Sequence, residues 1–192
     1  MKRTIYIFLI LLITLSAAGC ARQSPEEEVR LFLDGVKTKN KDFLMRYTDN
    51  EYINILLHST GGDQQAADRI LENILKNLSY EILSSSENDS GTVVQVKIIN
   101  ADFTDVLKTY EKKSSAYIKE NMYTNKIEKE NLEAALLVIF SEETEAAASG
   151  ELRKESIVDI VLTENDINGY DVVIENTLVN AVTGGLLGEQ TP

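Results

Sequence analysis

Residues Glu155-Ser156-Ile157-Val158-Asp159-Ile160-Val161-Leu162-Thr163, then Asn168-Gly169, then Tyr170-Asp171-Val172-Val173-Ile174, decide the fold. Apolar side chains alternate along both runs. Val158, Ile160 and Leu162 fall on one side of a pleated chain, and Tyr170, Val172 and Ile174 on one side of the next. Asn-Gly between two such runs is a strong hairpin signal, because both residues tolerate positive φ. An antiparallel pair is therefore expected at the C-terminal end of the chain. Further back, Val94, Val96 and Ile98 alternate with Gln95 and Lys97, and Tyr80 and Ile82 alternate with polar residues. The turn-forming cluster at 87–91 separates them, so they read as a second antiparallel pair.

Outside these runs the apolar period is that of a helix. Ser24-Pro25-Glu26-Glu27 is a helix start, with Ser as N-cap, Pro at the first helical position and Glu27 closing a capping box. Val29, Phe32, Leu33 and Val36 then share one face. A short helix with Phe43, Leu44 and Tyr47 is expected next, then a helical stretch over 51–58 that ends at Gly61-Gly62. A third helix runs over 63–78, with Ala67, Ile70, Leu71, Ile74, Leu75 and Leu78 as its stripe. Between the strand pairs, Asp102 is read as the cap of a helix carrying Phe103, Val106, Leu107, Tyr110, Tyr117 and Ile118. A further helix carries Leu132, Ala135, Leu136, Ile139 and Phe140 and ends at Gly150. Leu178 to Val182 is a last apolar segment before Gly184-Gly185. Helices first, then antiparallel strands with a helical insertion at 102–148, make an α+β domain. Phe32, Leu33 and Val36 are expected to cover the inner sheet face. Any site is expected between that helix and the sheet, a space that is either packed solid or left as a pocket; a pocket there is expected to be lined mainly by aliphatic groups with tyrosine hydroxyls as the few polar handles.

The N-terminus says where the chain goes. Lys2 and Arg3 precede an apolar run over 5–15, too short for the roughly 20 residues of a membrane span and of signal-peptide size. Ala17-Ala18-Gly19-Cys20 resembles the lipobox of bacterial lipoproteins, in which cleavage before Cys exposes a thiol that receives a diacylglyceryl group. The resemblance implies residues 1–19 as signal peptide, Cys20 as the lipidation site and an anchor on the extracytoplasmic face of the cell membrane. The alternative, ordinary cleavage near Ala18, leaves an exported protein with one unpaired thiol. Residues 20–23 form a tether of about 10–14 Å at most, holding a domain over 24–187 close to the membrane, with 188–192 as a disordered tail.

Composition narrows the partners. Loss of Lys2 and Arg3 with the signal leaves 17 basic against 31 acidic residues, a net charge of −14. Such a surface repels nucleic-acid phosphates and anionic headgroups alike. Nucleic acid is excluded as a partner, and the lipid must provide the membrane attachment. A hydrophobic content of 43% still supports an ordered core.

The phrase Ser24-Pro25-Glu26-Glu27-Glu28-Val29-Arg30-Leu31-Phe32-Leu33-Asp34-Gly35-Val36-Lys37 just after a lipobox resembles a group of small exported lipoproteins of Gram-positive bacteria. These are mostly of unknown function and carry a cystatin-like or NTF2-like domain. The strand, Asn/Asp-Gly hairpin, strand and Leu178-Val179-Asn180-Ala181-Val182 ending are similar too. Where those lipoproteins place a tryptophan after the hairpin glycine, this chain has Tyr170. The resemblance implies helices packed on a curved antiparallel sheet.

No catalytic set, metal site or cofactor is expected. His58 is the only histidine, and Cys20 is committed to lipid, so Ser-His and Cys-His nucleophilic chemistry lacks its parts. Glu164, Asp166, Asn168, Gly169 and Glu175 approach the spacing of an EF-hand loop. Position 1 is Glu, however, and the flanks are strand-like, so the hairpin already accounts for the glycine. The acidic runs at 26–28, 128–133 and 142–143 read as a helix N-terminus and solvated helix faces. The function expected is a non-enzymatic module binding a small apolar ligand or an envelope protein; the alternatives are a docking or assembly lipoprotein and, behind it, a carboxylate/tyrosine isomerase- or dehydratase-like enzyme in an NTF2-like cone.

Overall fold

The structure, a computed structural model, describes residues 23–58, 64–88, 91–122, 129–167 and 169–188. Cys20 and its signal, Gly61-Gly62, Asn168 and residues 189–192 lie outside these.

Helix α1 (Pro25–Thr38) begins as its sequence dictates. The Ser24 hydroxyl oxygen accepts the Glu27 N–H at 3.2 Å, and Pro25 stands in the first turn. It ends at Lys39, whose φ of 53° turns its N–H back onto the Gly35 and Val36 carbonyls. Short helix α2 (Lys41–Leu44), one 3-10 turn (Met45–Tyr47) and α3 (Glu51–Leu57) follow. Asn40 and Asn50 cap α2 and α3 through their side-chain oxygens. In α4 (Gln64–Leu75) the expected stripe holds from Ile70 onward, but Ala66 rather than Ala67 is the fully buried alanine. Residues 66, 70 and 74 lie on one i, i+4 row, which faces the core.

Strands β1 (Ser79–Asn88), β2 (Gly91–Ala101), β3 (Arg153–Asn165) and β4 (Gly169–Val172) form one antiparallel sheet in that order. The protein is α+β. The insertion consists of α5 (Val106–Met122) and α6 (Lys129–Ser149), yet β2 and β3 remain direct neighbours, with Val94 opposite Ile160 and Val96 opposite Val158. Asp102 does not cap α5. Its carboxylate accepts the Thr104 N–H in a local turn, and the helix starts four residues later at Val106. Helix α7 (Asn176–Val182) is the last helix among the described residues.

The alternation read from the sequence sets the layers. Val94, Val96, Ile98, Val158, Ile160, Leu162, Tyr170 and Val172 are buried on one sheet face, against α1 and α7. Ile174 lies beyond β4 and is half-buried beside this core. Each fully buried aliphatic side chain contributes about 1.5–3 kcal/mol, so this layer stabilises the fold substantially. On the opposite face Gln95 donates to Asp159 at 3.0 Å, Lys97 pairs with Glu81 at 3.2 Å, and Ile157 is exposed. The insertion docks sideways onto α4. Asn73 donates to the Ser141 carbonyl and the Thr144 hydroxyl, both at 3.3 Å, and Asn77 donates to the Ala148 carbonyl at 2.7 Å.

Candidate functional site

The sheet face under α1 is packed solid: Leu33, Val94, Val96 and Ile98 have no exposed surface. Of the two alternatives for that space, the packed core is the one found. A pocket of about 150 Å³ opens instead among the helices. Helix α1 supplies Phe32 and Val36, and α3 supplies Tyr52, Ile53 and Leu56. Leu71, Ile74 and Leu75 come from α4, while Leu178, Val179 and Val182 come from α7. Ile55 lines the pocket while half exposed, which marks its α3 side as the mouth. The lining is mainly aliphatic with one tyrosine, Tyr52, but no residue of β1 to β4 contributes to it, so it is a different pocket from the one expected under the sheet.

Two local features build the α7 wall. Gly184 has φ 58°, and a Cβ there would stand 2.0 Å from the Ala101 carbonyl oxygen, so only glycine lets the chain turn back at that point. Asn100, fully buried on β2, donates to the Ile74 carbonyl at 2.9 Å and the Val182 carbonyl at 2.6 Å. One amide thus serves carbonyls in the last turns of α4 and α7, groups that a helix leaves without internal partners. Ile74 and Val182 are both pocket residues, so Asn100 fixes two walls from behind.

The lining has little polar chemistry. Among the described residues only Tyr52 and Thr183 bring hydroxyls, and both already donate: Tyr52 to Asn176 Oδ1 at 3.0 Å, Thr183 to the Val179 carbonyl at 2.9 Å. Among the described residues, no charged side chain lines it.

A second constellation lies deeper. Glu28 on α1 has no exposed surface, and its Oε1 accepts from the Tyr47 hydroxyl and from Arg46 Nη2, both at 2.9 Å. Arg46 also reaches Asp171 Oδ1 at 2.7 Å and the Tyr170 carbonyl at 3.0 Å. The Tyr47 oxygen in turn accepts the Val172 N–H at 3.3 Å. Burial above all, reinforced by the adjacent Glu28, raises the Tyr47 pKa far above the usual tyrosine range. Burial alone would raise Asp171, but hydrogen bonds from Arg46 and Asn165 outweigh it and hold that carboxyl below its usual value. Neither Glu28 nor Tyr47 lines the pocket. The run at 26–28 is therefore more than a helix-start signal. The clue was available, since Glu28 stands four residues before Phe32 on the apolar face of α1.

His58 is exposed at the end of α3, where its ring meets Asn54 Oδ1 at 3.0 Å. Glu164 and Asp166 stand at the β3–β4 turn, in a strand-turn-strand setting rather than between helices. Cys20 lies outside the described residues.

No family model matches the sequence, and no curated protein matches it. Among solved structures the chain is similar to a candidate lipoprotein (ycdA) from Bacillus subtilis. Identity is 19%, the TM-score is 0.42, and the match covers 78% of this chain but 44% of that protein. A likeness this distant carries nothing across about the site. Among the described residues, no helix is long and apolar enough to cross a membrane.

Proposed function

We propose that this chain is a non-enzymatic binding module, anchored through lipid on Cys20 at the extracytoplasmic face of the membrane, that holds an apolar or amphipathic ligand in the helical pocket. The observation that carries the reading is the pocket itself, concave and lined by carbon, with no charged group among the described residues. Sites of this kind bind by shape and hydrophobic burial. A carboxylate/tyrosine enzyme would need its pair within reach of the substrate; the Glu28–Tyr47 pair is sealed in the core, and the exposed Tyr80–Asp34 pair, 2.8 Å apart, is not part of the pocket lining. Supporting the anchor are the basic start, the short apolar run and Ala17-Ala18-Gly19-Cys20.

The test is extraction. The full chain purified from membranes is expected to release a stoichiometric apolar compound into organic solvent, and the Val179→Phe variant, which fills the pocket, is expected to release none. Equal yields from both proteins would refute the reading.

One observation favours docking as a second reading. Residues 134–140 of α6 are apolar all round the helix, and none of them is fully buried. Val138, the most exposed at 37%, is the position to alter. If docking is the function, Val138→Asp removes a partner crosslinked in intact membranes and leaves extracted ligand unchanged.

A further inference from the structure

We infer that the pocket accepts a single uncharged hydrocarbon group about the size of benzene and keeps any polar part of its ligand outside, at the α3 mouth. The inference rests on the pocket being the ligand site, as proposed above, and narrows what that ligand is.

Size comes first. An apolar cavity of about 150 Å³ lined by Leu, Ile and Phe stays dry and takes up benzene in a well-studied engineered lysozyme. The present pocket has that volume and that kind of lining. A full membrane acyl chain exceeds it. Enlargement is resisted from behind, because Asn100 holds the Ile74 and Val182 carbonyls together and itself has no exposed surface. Two of the four helical walls are thus fixed relative to each other and to β2.

Chemistry comes second. A polar atom pushed inside finds no donor to meet it, since the Tyr52 and Thr183 hydroxyls are already engaged. Burying a polar group unpaired is costly, and burying a charge far more so. A carboxylate, phosphate or ammonium must therefore stay in water beyond Ile55, the exposed residue of the lining.

The experiment uses the full chain in lipid nanodiscs, with isoleucine methyl groups labelled for NMR and benzene, benzoate and palmitate as probes. Benzene is expected to shift the Ile53, Ile74 and Ile174 methyls saturably, while Ile98 and Ile160, buried in the packed layer, stay still. Benzoate is expected to bind at least about tenfold more weakly. Val179→Phe should abolish the benzene response with the Ile98 and Ile160 signals unchanged, and Leu71→Phe serves if the first variant does not fold. Benzoate binding as tightly as benzene overturns the inference, as does a benzene response that survives both variants. Palmitate saturating the same methyls while benzene does not would overturn the size class but leave the pocket as the ligand site. Silence from all three probes would overturn both.

Discussion

Tyr47 donates its hydroxyl hydrogen to Glu28 Oε1 at 2.9 Å, where the carboxylate has no exposed surface at all. Through this bond and the Val172 N–H, one ring joins α1, the 3-10 turn and β4. Phe32 packs edge-on against the same ring at 5.2 Å. Removing Glu28 leaves Arg46 paired with Asp171 but takes the acceptor from the buried Tyr47 hydroxyl and empties the carboxylate's site. Glu28→Ala and Tyr47→Phe should therefore each cost about 1–3 kcal/mol. Urea unfolding of both variants checks this. A loss below 0.5 kcal/mol (about the scale of a surface change) for Glu28→Ala would mean that the cluster is not a structural tie.

Stability should fall in strong alkali. Tyr80, raised chiefly by burial and also by its bond to Asp34, has its pKa pushed up to about 12, and Tyr47 is raised as well. Both folded values lie above the unfolded tyrosine value near 10. Their contribution is complete below about pH 10 and is lost as pH rises toward the folded values. Asp171, Asp102 and Glu26 are lowered. Their contribution is present above about pH 4 and is lost as pH falls. Urea midpoints measured from pH 3 to 11.5 should fall at both ends, and Tyr47→Phe should flatten the alkaline limb.

Much of the architecture could be read from local pattern. Period-2 alternation gave the inward set on β2 and β3 because a one-residue slip would move every side chain to the wrong face. The α1 start was readable because Ser24, Pro25 and Glu27 each act within one turn. The pocket was not readable, because Leu71, Ile74 and Leu75 look like any core stripe. Only the three-dimensional meeting of α1, α3, α4 and α7 leaves them short of a partner. Arg46 and Asp171 were missed for a similar reason: they are 125 positions apart, and no local period links them.

Backbone geometry yields a controlled pair. Gly184 and Gly188 both have positive φ, at 58° and 73°, but a Cβ on Gly184 would meet the Ala101 carbonyl while one on Gly188 meets nothing within 4 Å. Gly188→Ala should cost about 1 kcal/mol from backbone strain alone. Gly184→Ala should cost more than about 3 kcal/mol, because strain and overlap add. Equal losses in denaturant unfolding would show that α7 can shift away from β2.

Replacing Cys20 by Ala tests the anchor. Cys20→Ala should accumulate unprocessed or leave the membrane fraction on cell fractionation. A mature-sized variant still retained on membranes would require another attachment.

Asn100 is the residue where fold and pocket meet. Its amide donates to Ile74 and Val182, and its Oδ1 accepts the Ala101 N–H at 2.8 Å. Asn100→Ala strands two buried carbonyls and should cost about 1–3 kcal/mol, with weaker pocket binding as the α4 and α7 walls loosen. Asn100→Asp is the sharper probe. It keeps an acceptor for Ala101 but turns a carboxylate toward two carbonyl oxygens, so the charged form is disfavoured by burial and by those dipoles. Its folded pKa must then lie above the unfolded value near 3.9. Stability relative to the parent is greatest below that value, where a protonated carboxyl can donate to one carbonyl, and is lost as pH rises through the folded pKa. Asn100→Asp should accordingly unfold at a lower urea concentration than Asn100→Ala at pH 7, and recover at pH 4. A variant whose deficit is the same at both pH values would mean that the side chain at 100 has swung out to water and that the two helix ends are not held through it.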